Sequence, residues 1–166
     1  IPSSLVGSEM CIRDSHEIKD INKFQMAIKN SIDLAFNDKL IIFGVPPTYP
    51  ATGYGYIKSE NEFQHNEYTP IKVDHFLEKP NKKKAKLFIE DKKYSWTSGM
   101  FVFKATSIID EVNSFEPEIL KNCEECLTKS KRDLDFLRIE EKSFSKCKDV
   151  SIDVSVFEKT KRAFVI

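Results

Sequence analysis

The chain lacks any excess of charge. Its 26 basic and 26 acidic residues cancel, so a formal net charge of zero argues against bulk attraction to nucleic acid or an anionic membrane. It also lacks any apolar run long enough to span a bilayer. No apolar stretch follows a basic start, so no export signal is read and a cytoplasmic setting is expected. Cysteine is sparse, at four residues, Cys11, Cys123, Cys126 and Cys147, and these are read as reduced thiols. The pair Cys123 and Cys126 has no suitably spaced partner pair for zinc. Both fall in a helical pattern over Pro117–Leu127, which suits small buried hydrophobes. What is present, 40% hydrophobic and 31% charged residues in a chain of 166, suits one soluble domain with a real core.

With only five glycines, their placement carries information. Three of them, Gly44, Gly53 and Gly55, fall in one stretch, Phe43 to Ile57, FGVPPTYPATGYGYI. A buried strand is expected at Leu40–Phe43, breaking at Gly44. Pro46, Pro47 and Pro50 then forbid helix or ladder, and Thr52-Gly53-Tyr54-Gly55-Tyr56 follows. Gly53 and Gly55 permit positive φ and let a ligand approach the main chain. A stiff loop running into a glycine-tyrosine loop at a strand end is one wall of a small-molecule site, or else a tight surface turn with two packed tyrosines.

Residues 1–15, IPSSLVGSEMCIRDS, have no period and resemble a translated adapter read-through, so they are set apart as non-native. Asp20 to Phe36 is helical, with Phe24, Ala27, Ile28, Ile32 and Ala35 on one face and Asp20 as the N-cap. Helix followed by buried strand leads to an α/β fold with a largely parallel, helix-covered sheet. Tyr54–Ser59 reads as a strand, Glu60–Thr69 as an exposed hairpin tip carrying His65, and Ile71–Leu77 as a strand ending in Glu78-Lys79-Pro80-Asn81. A short basic helix is expected at Lys82–Ile89. The stretch YSWTSGMFVF over 94–103 supplies a second candidate wall, Thr97-Ser98-Gly99, entering a strand at Met100–Phe103. Helices are expected at Thr106–Val112, Pro117–Leu127 and Leu134–Ile139. Ile152–Phe157 fits strand or helix. A further core strand begins at Ala163, so the fold is expected to be incomplete.

Taken singly, each of these stretches has a structural explanation. In order, FGVPPTYP, TGYGYI, FLEKPN, YSWTSGMFVF and SIDVSVFEKT resemble the mannose-1-phosphate guanylyltransferases, including the type fused to a phosphomannose isomerase. The resemblance covers His16 to Ile166. It implies an incomplete Rossmann-like nucleotidyltransferase fold, with residues 16–166 as its C-terminal, sugar-phosphate-binding part. It implies GTP and mannose 1-phosphate as substrates, with Mg²⁺. Gly53, Tyr54 and Gly55 match the loop against the sugar. Glu78 matches the glutamate on sugar hydroxyls, Lys79 the lysine on the sugar phosphate, and Asp153 a metal-binding aspartate. The chain departs from that pattern at Ala51, where the family has Glu. It departs again at Thr97, where the family has Asn. Its third departure is Ser15, where the family has a second metal-binding Asp; Asp14 is one place out of register. The family's upstream glycine-rich nucleotide loop has no counterpart here, so neither turnover nor tight GTP binding is expected of the chain as it stands. The alternatives are a related enzyme acting on another sugar phosphate, such as glucose 1-phosphate, and a non-catalytic sugar-phosphate-binding remnant.

Overall fold

The computed structural model describes residues 17–63 and 68–166. His65, His16, Ser15 and Asp14 lie outside them, as does the whole 1–15 segment. Helix α1, Ile21–Phe36, starts where Asp20 accepts a hydrogen bond from the Lys23 amide at 3.0 Å. Ala27, Ser31 and Ala35, each one turn apart, are its buried residues, so small side chains set how closely it approaches the sheet. Strand β1, Leu40–Val45, follows, and Leu40, Ile41 and Ile42 are wholly buried. Strands β2 (Tyr56–Ser59) and β3 (Ile71–Leu77) pair antiparallel. Helix α2, Lys82–Phe88, is capped by Asn81 and buries Ala85.

Strand β4, Tyr94–Val102, is longer than the sequence reading allowed. Thr97-Ser98-Gly99 lies within it and does not form a loop ahead of it. Its first residues pair with β2, and it also runs antiparallel to β1. Gly99, at φ 72, is the one described glycine in the left-handed region. Gly53 and Gly55 therefore do not use the positive φ expected of them.

Helices α3 (Ala105–Phe115) and α4 (Pro117–Thr128) form next, with Pro117 in the first turn of α4. The helix expected at Leu134–Ile139 is instead a hairpin, β5 (Lys131–Asp133) and β6 (Phe136–Arg138). Leu134 takes φ 54 in its two-residue turn, and the Arg138 Nε to Asp133 Oδ2 contact of 2.5 Å ties the strands. A two-residue turn with positive φ at Leu134 lets the flanking residues pair at once, and so short a segment gains little from helix formation. Helix α5, Glu141–Phe144, and a π-helical turn, Asp153–Phe157, lead to strand β7, Ala163–Val165.

The strand order is β1-β4-β2-β3-β7, closing back on β1 as a five-stranded barrel. This corrects the largely parallel sheet. Among the described strands only β1 and β7 pair in parallel, and every other pairing is antiparallel. The helix-then-strand order of α1 and β1 suggested repeated crossovers. Downstream, however, β2 folds directly back on β3 and separates β3 from β4, so α2 crosses over to a strand that is not a neighbour.

One core joins Leu40, Ile42, Ile57, Phe76, Val156, Phe157, Ala163 and Val165. A second, smaller cluster holds Ala51, Tyr56, Ala85 and Trp96 under α2. Cys126 is buried, and the Cys147 thiol is pushed up to about 11 by burial and by Cys123 beside it. No described helix is long and apolar enough to cross a membrane.

Candidate active site

Strand alternation decides what meets what. Tyr56 pairs with Trp96 and Leu77, and Ile57 pairs with Phe76 and Ser95. Counting by twos, Gly55, Phe76, Glu78 and Thr97 share one face, while Tyr54, Tyr56 and Trp96 share the other. Gly55 confirms the first set. A Cβ placed there would lie 2.5 Å from Glu78 Oε2, 2.8 Å from Thr97 Cγ2 and 3.1 Å from the Phe76 ring. Those three residues come from two strands, and the missing side chain lets the Glu78 carboxylate sit over the main chain. Gly53, by contrast, has open space around it.

Glu78 directly follows β3, and its Oε2 is buried with no hydrogen-bond partner. Its other oxygen lies 3.5 Å from Lys79 Nζ. Burial raises the Glu78 carboxyl above its usual range, and the negative charge of Asp153 raises it further; Lys79 pulls the other way. A buried carboxylate oxygen with open hydrogen-bonding capacity is suited to accept from hydroxyl groups.

Lys79 projects from a backbone at φ 46, in the left-handed region, with its ammonium exposed. Thr97 turns its methyl toward Gly55, and its hydroxyl accepts from the Gly99 amide at 3.1 Å. That hydroxyl retains a proton to donate. Asp153 opens the π-helical turn, whose Phe157 ring lies 6.2 Å from that of Phe76 and stacks on Phe101 at 4.6 Å. The fold thus gathers Gly55, Glu78 and Thr97 on one face, with the Lys79 ammonium beside Glu78 and Asp153 near enough for its charge to act on Glu78.

Tyr54 is not brought to that group. Its ring lies 5.1 Å from Trp96 and 6.5 Å from Tyr49, on the opposite face. Ala51 is buried in the same aromatic cluster and accepts from the Tyr56 hydroxyl at 3.0 Å through its carbonyl. The sequence reading missed Glu158, whose Oε1 accepts from the Glu78 amide at 2.9 Å. No local pattern signals a hydrogen bond spanning 80 residues.

The face sets a carboxylate and an ammonium beside a glycine, with a further carboxylate on a turn of irregular helix. The class follows from the chain itself: residues 7–149 match the nucleotidyl transferase family, and the chain belongs to it. Within that family it is 40% identical over 151 residues to mannose-1-phosphate guanylyltransferase of Escherichia coli, covering 90% of this chain and 32% of that protein. It is 39% identical to the alginate biosynthesis protein AlgA of Pseudomonas syringae, covering 96% of this chain and 33% of that one. A crystal structure described as mannose-6-phosphate isomerase from Helicobacter pylori superposes with a TM-score of 0.79 at 34% identity, over 90% of this chain and 57% of that one. The chain spans about a third of the length of the curated relatives it matches.

Proposed function

We propose that this chain is the sugar-phosphate-binding part of a mannose-1-phosphate guanylyltransferase. The observation that carries the reading is the Glu78 oxygen, buried without a partner and set over Gly55 beside Thr97. Its likeness to guanylyltransferases at 40% identity supports the choice of reaction. In that reaction a phosphate oxygen of mannose 1-phosphate bonds to the α-phosphorus of GTP. The bond between that phosphorus and the bridging oxygen breaks, and pyrophosphate leaves. Catalysis of this kind rests on alignment and charge stabilisation.

Glu78 accepts from sugar hydroxyls, which donate into the oxygen that lacks a partner. Lys79 meets the sugar phosphate as a point charge. Thr97 can donate one hydrogen bond to the sugar where an asparagine would offer two kinds of contact. The space over the Gly55 main chain is taken by Glu78, Thr97 and Phe76, so the glycine sets where the Glu78 carboxylate meets the sugar.

The family implies Mg²⁺. Among the described residues no three carboxylate, histidine or cysteine side chains are gathered to hold a metal. Mg²⁺ typically takes only one or two protein carboxylates and completes its shell with phosphates and water, and Asp153, half-buried beside the site, fits that demand. When bound, the ion would neutralise phosphate charge.

Titration calorimetry of the chain with mannose 1-phosphate and glucose 1-phosphate tests the reading. Binding of mannose 1-phosphate that disappears in Glu78→Ala is expected. No binding by the unaltered chain, or equal binding by the variant, overturns it. Tighter binding of glucose 1-phosphate would move the assignment to a different sugar nucleotidyltransferase.

A further inference from the structure

We propose that Glu158 is a positioning residue of this site: its carboxylate holds the Glu78–Lys79 turn in register with the π-helical turn that carries Asp153. The inference rests on the sugar-phosphate reading above. The ladder between β2 and β3 ends at the Tyr56 and Leu77 pair, which leaves the Glu78 amide beyond the last paired residue. Glu158 Oε1 accepts that amide proton at 2.9 Å. A carboxylate acceptor makes such a bond roughly twice as strong as a neutral one.

The turn it holds needs holding. Lys79 lies at φ 46, in the left-handed region that is strained for a residue with a Cβ. On its far side the turn is fixed, because Pro80 is buried and Asn81 caps α2 by accepting from the Lys84 amide at 2.9 Å. On its near side the ladder stops at Leu77, and Glu158 is the contact that extends the hold to Glu78 itself. Without it, the Glu78 amide loses its partner and the strained turn between Leu77 and α2 loses its middle support.

Glu158 is itself well anchored. It follows Phe157, which is buried in the main core, and its own amide donates to the Asp153 carbonyl at 2.9 Å. The next residue, Lys159, reaches away to Glu116 Oε1 at 2.8 Å, where Lys148 also arrives. That pull orients the segment so that the two consecutive side chains serve different partners. One short segment thus carries the Asp153 carboxylate at its start and the hold on Glu78 at its end. Displacement of either would separate the groups proposed for the sugar, the phosphate and the metal.

The test uses the ¹⁵N-labelled chain and its Glu158→Gln and Glu158→Ala variants. Hydrogen exchange at the Glu78 amide reads the contact without any ligand, and mannose 1-phosphate titration reads its consequence. Glutamine keeps an oxygen that can accept, and alanine does not. Exchange at Glu78 should be at least about tenfold faster in Glu158→Ala and near the parent rate in Glu158→Gln. The dissociation constant for mannose 1-phosphate should rise about tenfold in the alanine variant and return to within about threefold in the glutamine variant, where tenfold corresponds to 1.4 kcal/mol. Unchanged exchange and affinity in Glu158→Ala overturn the proposal. So does equal loss of affinity in both variants with Glu78 exchange unaltered, which would make Glu158 a direct ligand contact. If the unaltered chain binds no mannose 1-phosphate, the sugar-phosphate reading falls and the positioning role falls with it, a result distinct from failure of the exchange measurement alone.

Discussion

The two faces of the sheet formed by β2, β3 and the start of β4 are built from adjacent residues of the same strands, yet they are opposites in chemistry. One face is closed by aromatic rings. Trp96 is covered by Tyr49 at 5.0 Å, Tyr54 at 5.1 Å and Tyr56 at 6.4 Å, and the Tyr56 hydroxyl is satisfied by the Ala51 carbonyl. The other face leaves a buried carboxylate oxygen without a partner and a glycine where a side chain would collide. The first face contributes stability by burying ring surface. The second gives some stability up, since a buried acceptor without a donor is unfavourable in the absence of ligand. A difference of one residue in the strand, Trp96 against Thr97, decides which purpose a side chain serves.

The comparison breaks most visibly at Trp96. Trp96→Ala should cost about 3–5 kcal/mol in urea unfolding, the range for deleting a large aromatic from a packed cluster. Gly55→Ala strikes the open face. Its Cβ meets Glu78, Thr97 and Phe76 together, so about 1–3 kcal/mol of stability should go and mannose 1-phosphate affinity should fall at least about tenfold by calorimetry.

Glu78→Gln should separate stability from binding. The folded carboxyl is raised above its ordinary value of 4.5, first by burial and then by Asp153. An acid raised on folding destabilises the folded state increasingly as pH climbs through that window. The glutamine variant should therefore be more stable at pH 7, lose that gain as the pH falls below the ordinary value, and bind sugar phosphate poorly. A denaturant series at both pH values decides it. Tyr54→Phe should do least. It removes one hydroxyl contact, 3.4 Å from Tyr49, so a stability change under about 0.5 kcal/mol and unaltered sugar-phosphate affinity are expected. A large loss of affinity would return Tyr54 to the sugar wall.

Much of the fold was legible where local signals agreed. Asp20 as a cap, Ile71–Leu77 as a strand and Pro117 in a first turn all appear as read. The local pattern failed where pairing decided the outcome. The strand read from Met100 starts earlier, at Tyr94, because β1 and β2 on either side draw Thr97-Ser98-Gly99 into β4. Leu134–Ile139 carried enough apolar residues for a helix, and it became an exposed hairpin through its turn. Pairing direction also escaped the local reading, because it depends on which strands become neighbours and not on the strands' own residues. Glu78, Lys79 and Asp153 take their proposed roles from motifs that occur in a known order. Glu158 stood in one of those motifs, but its partner is fixed by the closed barrel and could not be read from spacing.

The closing strand has a consequence for how the chain is made. Strand β1 holds Leu40, Ile41 and Ile42, all wholly buried, and one of its two edges is covered by β7 at residues 163–165. During synthesis more than a hundred residues must therefore emerge after β1 before that edge finds its partner. Throughout that interval the most apolar strand of the barrel presents unpaired amides and carbonyls to whatever is nearby. A chain stalled before Ala163 would carry a ready template for strand addition, and the ribosome-bound intermediate is where a holdase chaperone would be expected to engage it.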